Sequence, residues 1–558
     1  MSDGPVLLFG LDGAGWPVLR PLIESGRLPF ITNLMENGFS SDLRAPWPWA
    51  TFPSWTSIMT GTSPGVHGML DFSILDHERM KIDFIDSSYR QAPALWEMVT
   101  SKGGRCVVLG VPGTYPPDTS AELMISGFDT PVTTSIEPSF IWPESYRKRI
   151  IQEVGLFPLT PVQELRITPG WHRKARNALL RSIEDKSHVA SFVLKDLKPD
   201  LFIMVFGETD TVCHHFWQYH DVNSPRYDET SPEILKSAIG DVYSAVDKAI
   251  SRITQTAESP RMILLVSDHG FGGVGNRVVR INRFLAEQDL LAFTMPRFRF
   301  PIPGTFALSA FSRLPRGIQQ WVFRHGARGI IPEIETRRRF TGIRWKNTRA
   351  YSEELNYAPS VRINLAGREA CGTVEPSSYE SLRQEIKESL ESWRDDETGE
   401  RVVNRVYRRE ELLYGPEMHH APDLLLELEL PGGFSYVVLP SRGSVGPSVH
   451  DLPPGAGAKL TGMHGSHRRD GILIATGDRI TAGRSMYPAI AEQIAGIVLH
   501  GLGLELPPWI QDPPENGVTG NILHSAPEEF STRGSVVQGN RVFELERLKR
   551  LSGLGYLI

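Results

Sequence analysis

Four short runs constrain this chain more than any other feature: Val6–Leu11 (VLLFGL), Cys106–Leu109 (CVVL), Leu201–Phe206 (LFIMVF) and Met262–Val266 (MILLV). Each is apolar throughout, and each is closely followed by Gly or Asp. A strand without a polar face is covered on both sides, the condition of strands in a parallel sheet flanked by helices. Helical patterns lie between them, the clearest at residues 234–253, where ILKSAIGDVYSAVDKAISRI repeats its apolar positions at helical spacing. The alternation predicts an α/β fold with a mostly parallel central sheet. Ligands of such sheets bind beyond the carboxyl ends of the strands, where loops converge. Asp12, residues 207–215 and the Asp268–His269 pair fall at those ends and supply three carboxylates and several imidazoles.

At 558 residues the chain exceeds what one core holds, so one large catalytic domain with insertions is expected. Residues 1–280 and 350–505 carry the strand and helix patterns of that domain. Residues 281–349 turn Pro-rich and aromatic-rich and read as an inserted cap, and residues 506–558 as a tail packing on the core's exterior. The formal net charge of −6 argues against whole-surface attraction to nucleic acid, yet residues 296–349 alone carry twelve Lys and Arg against two acids. With Phe298, Phe300, Phe311, Trp321 and Trp345 interleaved among the arginines, that segment reads as a lid over an anionic substrate, a solvated amphipathic face, or a peripheral contact with anionic lipid. Three cysteines in a chain of this length make no disulfide framework. The N-terminal MSDGPVLLFGLDG has no basic start before a long apolar stretch, so a cytoplasmic location is expected.

Four separated clusters carry chemistry: GLDG around Asp12, ATFPSW around Thr51, ETDTVCHH around Asp210 and His214, and SDHG around Asp268 and His269. A fifth, GSHRRDG, offers His467, with His464 as a neighbouring competitor. Carboxylates combined with imidazoles are a zinc ligand set, and with more oxygen also one for manganese. A helical turn would project Asp210 and His214, four residues apart, from one face. Alone, each cluster has a structural explanation: a strand-terminal Asp caps a helix, and a Thr before x-Pro starts one. Their joint occurrence at successive strand ends favours a site.

These segments, FGLDGAGW, ATFPSWTSIMTGTSPGVHG, TDTVCH, SDHGFGG and GSHRRDGILIATG, resemble in order and spacing the alkaline phosphatase superfamily, particularly its type I phosphodiesterase and nucleotide pyrophosphatase branch. The resemblance implies a three-layer αβα sandwich with an inserted cap. It also implies two divalent ions, zinc with manganese as the alternative, one held by Asp12, Asp268, His269 and the Thr51 hydroxyl, the other by Asp210, His214 and His467. Thr51 would be the nucleophile, forming a phospho-threonine intermediate during hydrolysis of a small anionic phosphate ester. Phosphomonoesterase, phosphotransferase or mutase chemistry on the same site, and a catalytically silent anion-binding protein, are the alternatives. Where the branch carries an asparagine after its HG motif, this chain has Asp71 and Phe72; these two and Arg468 are the candidate substrate contacts.

Overall fold

The computed structural model describes residues 4–127, 140–294, 330–452 and 463–525, apart from residues 156, 160, 161, 163–166, 168, 442, 444, 516 and 521. Its central sheet contains β1 (Val6–Leu11), β2 (Phe39–Arg44), β3 (Cys106–Leu109), β4 (Leu123–Ile125), β5 (Leu201–Phe206), β6 (Met262–Val266) and β7 (Asp470–Gly477), in the spatial order β2-β7-β6-β1-β5-β3-β4. Short strands extend both edges. β6, β1, β5, β3 and β4 run parallel, and only β7 runs against its neighbours β6 and β2 in this stretch. In register, Leu7 faces Phe202 on one side and Ile263 on the other.

Successive side chains of a strand point to opposite faces, so an all-apolar strand feeds two cores. Leu7, Phe9 and Leu11 join Phe202, Met204 and Phe206 in one cluster. Val6 and Leu8 join Leu201, Ile203 and Val205 in the other. The first is covered by α2 (Trp171–Leu197), α3 (Glu208–His220) and α4 (Ala238–Thr256), the second by α1 (Thr51–Thr60) and α5 (Gln493–Gly501). The expected three layers are therefore present. Among the described residues no helix is long and apolar enough to cross a membrane.

The strand Gly270–Val279 leaves the central sheet just after Asp268 and His269. It pairs antiparallel with Gly465–Arg468, setting Phe271 opposite His467, and parallel with Ser435–Val438. That pairing carries a residue nearly two hundred positions away to the edge of the site.

The expected division of the chain meets a difference here. Strands Ala350–Tyr351, Ser360–Ile363, Leu424–Leu428 and Val403–Arg408 form a separate four-stranded sheet rather than extending the central one. They close over their own core with helices Ile281–Glu287 and Tyr379–Ser392. A strand pattern gives the period of burial but not the partner, so residues 350–428 look like core strands in sequence. Of the basic segment, residues 295–329 lie outside the described residues, and the lid and lipid readings fall largely there. Its described end is structural: Arg339 is buried between Glu335 (3.0 Å) and Glu353 (2.9 Å), and Phe340 and Trp345 pack edge-on against Tyr351. Of the expected tail, Leu506 and Ile510 pack into the core beside α5, and residues 526–558 lie outside the described residues.

Candidate metal centre

Asp12 directly follows β1, Asp210 and His214 lie in the first two turns of α3 after β5, and Asp268 and His269 follow β6. All are buried, as is His467. They gather into two triads, Asp12–Asp268–His269 and Asp210–His214–His467. The triads adjoin: the His269 and His467 rings stack at 3.6 Å, and Gly13 stands between them. Its backbone N–H donates to Asp268 Oδ1 (3.1 Å), its φ is +67°, and a Cβ there would meet Phe271 at 2.9 Å and Asp210 Oδ1 at 3.3 Å. Glycine is thus required by conformation and by space.

The lone pairs show what the triads accept. His214 donates Nδ1–H to the Gly465 carbonyl (3.0 Å) and His467 donates Nδ1–H to the Trp49 carbonyl (3.3 Å). Their Nε2 atoms, left as acceptors, face each other at 3.2 Å and lie 3.3 and 3.5 Å from Asp210 Oδ1. Three acceptors converge with no hydrogen between them. His269 likewise donates Nδ1–H to the Gly270 carbonyl (3.0 Å) and turns Nε2 to Asp268 Oδ2 (3.3 Å) and Asp12 Oδ1 (3.6 Å). Asp12 Oδ1, Asp210 Oδ1, Asp268 Oδ2 and His269 Nε2 are buried without a hydrogen-bond partner. Such atoms are costly unless a cation or proton fills the gap. A four-coordinate ion with bonds of 2.0–2.1 Å holds its ligands about 3.3 Å apart, so the residues fit zinc-sized ions.

Burial, then the charge of Asp210, pushes the Asp12 carboxyl well above the ordinary range; burial, then Asp12, does the same to Asp268. Burial lowers His269 well below its usual value and His467 to about 4, leaving both rings neutral at pH 7 with a lone pair available.

Thr51 is fully buried at the first turn of α1, and the residues around it reach both triads. Trp49, two positions before it, receives the His467 hydrogen bond. Trp55, one turn after it, donates its indole N–H to Asp12 Oδ2 (3.0 Å). Nothing in ATFPSW marks Trp55 for that contact. Gly10 supplies the missing signal, because a Cβ there would lie 2.2 Å from the Trp55 ring and 2.8 Å from Val205. Gly10→Ala is expected to destabilise by about 1–3 kcal/mol through overpacking, read as a lower denaturant midpoint at unchanged slope.

His67 pins the segment after α1. It accepts the Met69 backbone N–H at Nδ1 (3.1 Å), so its proton sits on Nε2 and is donated to Ser57 Oγ (3.0 Å). Burial, then the Arg90 charge, lowers it to about 3. The folded state therefore holds His67 neutral where the unfolded chain, near 6.5, takes a proton. This contribution is complete above pH 6.5 and shrinks as pH falls, by about 2 kcal/mol at pH 5. Urea unfolding at pH 7 and pH 5 should show that much extra acid sensitivity in the wild type relative to His67→Asn.

The three candidate substrate contacts each have structural partners, and Phe72 lies in one cluster with Ala50 and Phe52, which flank Thr51. Arg468 spreads its guanidinium over the Gly273 (3.0 Å), Gly433 (3.1 Å) and His467 (3.1 Å) carbonyls and Ser435 Oγ, latching the ribbon. Phe72 is buried against Phe52 at 4.2 Å, and the charge of Asp71 acts on buried Arg339. His464 belongs to neither triad and faces Arg226 (3.5 Å). Two features had no sequence signal: Tyr357, from the separate sheet's segment, stacks flat on His467 at 3.9 Å, and the charge of buried Lys186, paired with Glu208 (2.9 Å), acts on Asp12. A third acid–imidazole grouping, Glu417, His419 and His420, lies in a single turn with His419 exposed.

A parallel sheet with buried carboxylate–imidazole triads beyond its strand ends is the architecture of alkaline phosphatase-like enzymes, and comparison of folds agrees. Phosphonoacetate hydrolase from Sinorhizobium meliloti 1021 matches over 89% of this chain and 95% of its own, with a TM-score of 0.51 at 14% identity. The profile of type I phosphodiesterase / nucleotide pyrophosphatase matches residues 6–437, and the chain belongs to that family. Among curated proteins, mouse ectonucleotide pyrophosphatase/phosphodiesterase family members 1 and 3 are each 36% identical over 93 residues, 16% of this chain. The match spans only 10% of the length of those relatives.

Proposed function

We propose that this chain hydrolyses phosphodiester or pyrophosphate bonds of small anionic substrates, with Thr51 as nucleophile and two divalent ions, zinc by ligand type, held by the two triads. The observation that carries the reading is the convergence of buried, hydrogen-free lone pairs on two adjacent points beside the first turn of α1. Family membership supports the reaction class. When bound, the ions supply Lewis-acid charge: two of them against three carboxylates leave the centre near +1, which favours a deprotonated hydroxyl and a bound phosphate.

The chain's own groups do the rest. The positive end of α1 stabilises the Thr51 alkoxide, and helix geometry fixes its direction. Attack forms an O–P bond to Thr51 and breaks the bond to the leaving group, which departs with its electron pair. Water then cleaves the phospho-threonine and restores the hydroxyl. Trp55 and Gly13 hold the carboxylates, and the backbone carbonyls of Trp49, Gly465 and Gly270 hold the three imidazoles in the lone-pair orientation.

The test is metal content by mass spectrometry on purified protein, together with turnover of bis-p-nitrophenyl phosphate and p-nitrophenyl phosphate before and after chelation. Two metals per chain, diester turnover lost on chelation and regained with zinc or manganese are expected. A chain that takes up neither metal and cleaves neither ester would sink the proposal.

A further inference from the structure

The first triad treats its two carboxylates alike, and the manner bears on which ion it takes. Asp12 Oδ2 is occupied by the Trp55 indole N–H (3.0 Å) and Asp268 Oδ1 by the Gly13 backbone N–H (3.1 Å). The opposite oxygens, Asp12 Oδ1 and Asp268 Oδ2, have no hydrogen-bond partner and lie 3.6 and 3.3 Å from His269 Nε2. Each carboxylate therefore presents a single oxygen, and the triad offers three donor atoms.

Ions differ in what that offer is worth. Zinc is content with four ligands, whereas manganese and magnesium favour six, mostly oxygen. A carboxylate can raise the count by turning its second oxygen inward, unless that oxygen is already held. The backbone donor at Gly13 is fixed by the fold, but the donor on Asp12 is a side-chain choice. It has little room to move: Trp55 is fully buried, and its ring fills the space over Gly10 where a Cβ would lie 2.2 Å away.

We infer that Trp55 is a positioning residue that sets metal selectivity, holding Asp12 to one oxygen and so favouring a four-coordinate ion over a six-coordinate one. The inference rests on the two-ion reading above. It predicts that removing the indole N–H frees Asp12 Oδ2 and narrows the preference for zinc over manganese.

The experiment uses the full chain, stripped of metal and reloaded from buffers that set free zinc and free manganese separately. The readout is the ratio of the two dissociation constants at the weaker-holding and tighter-holding sites. Trp55→Phe removes the donor. Incorporation of benzothienylalanine at position 55, with sulfur in place of N–H, keeps the shape if the phenylalanine variant packs poorly. At one site of both variants the zinc-to-manganese preference should fall by roughly tenfold or more, with the other site unchanged. An unchanged ratio overturns the inference, and so does an equal loss of affinity for both metals, which would make Trp55 a mere prop. A wild-type chain that binds neither metal fails earlier, at the two-ion reading, and takes the inference with it.

Discussion

Thr51→Ala is expected to lower the kcat for bis-p-nitrophenyl phosphate by on the order of 10⁴-fold or more while leaving two metals bound. The loss should be confined to chemistry. Ala50, not Thr51, stands at the cap position of α1, and no side-chain cap bond is made there, so the substitution removes no cap. Melting should move by no more than a few degrees. Metal retention follows because the six carboxylate and imidazole ligands come from other segments. Single-turnover kinetics and metal content on the same preparation check both halves. A variant retaining more than a tenth of the rate would assign the nucleophile elsewhere, and an accompanying loss of metal would make Thr51 chiefly a ligand.

His467→Ala should reduce metal content from two per chain to about one and lower diester kcat/KM by at least two to three orders of magnitude. Four-ligand zinc sites bind with about 10–16 kcal/mol, roughly 2.5–4 kcal/mol for each ligand, or on the order of 10²–10³ in affinity when one is removed. The remaining pair, Asp210 and His214, would be left 3.3 Å apart without their third member. His464→Ala is the control, since His464 faces Arg226 and not the triad. Its metal content should stay at two. If the two variants exchanged behaviour, the ribbon's register would be shifted from the pairing of Phe271 with His467.

The central sheet was legible because β1, β3, β5 and β6 have no polar positions to hide, and Asp12, Asp210, Asp268 and His269 follow the carboxyl ends of three of them, β1, β5 and β6. The gathering of these residues with His467 follows from strand order and from a ribbon pairing. Other parts had no local signature. Leu424–Leu428 reads as a core strand, and nothing in LLLEL says that its partners are Val403–Arg408 and Ser360–Ile363 rather than β1. Arg468 looks like a substrate contact by its place beside His467, but its side chain lies across two glycines of the facing strand and bonds the Gly273 carbonyl there. The Trp55 donor to Asp12 spans 43 residues and depends on the absence of a side chain at Gly10, a pair of facts that periodicity does not connect.

The strand order also fixes a timetable for synthesis. β7 lies between β6 and β2, yet it is made about two hundred residues after β6, alongside His467. At 5–20 residues per second, the nascent chain carries Asp12, Thr51, Asp268 and His269 for roughly 10–40 s before β7 and His467 emerge. During that interval β2 has no strand joining it to β6, and the second triad has two of its three members. One half of the centre is complete in sequence while the other waits, so the two halves are assembled in order, and the closing of the sheet and the completion of the second triad are one event.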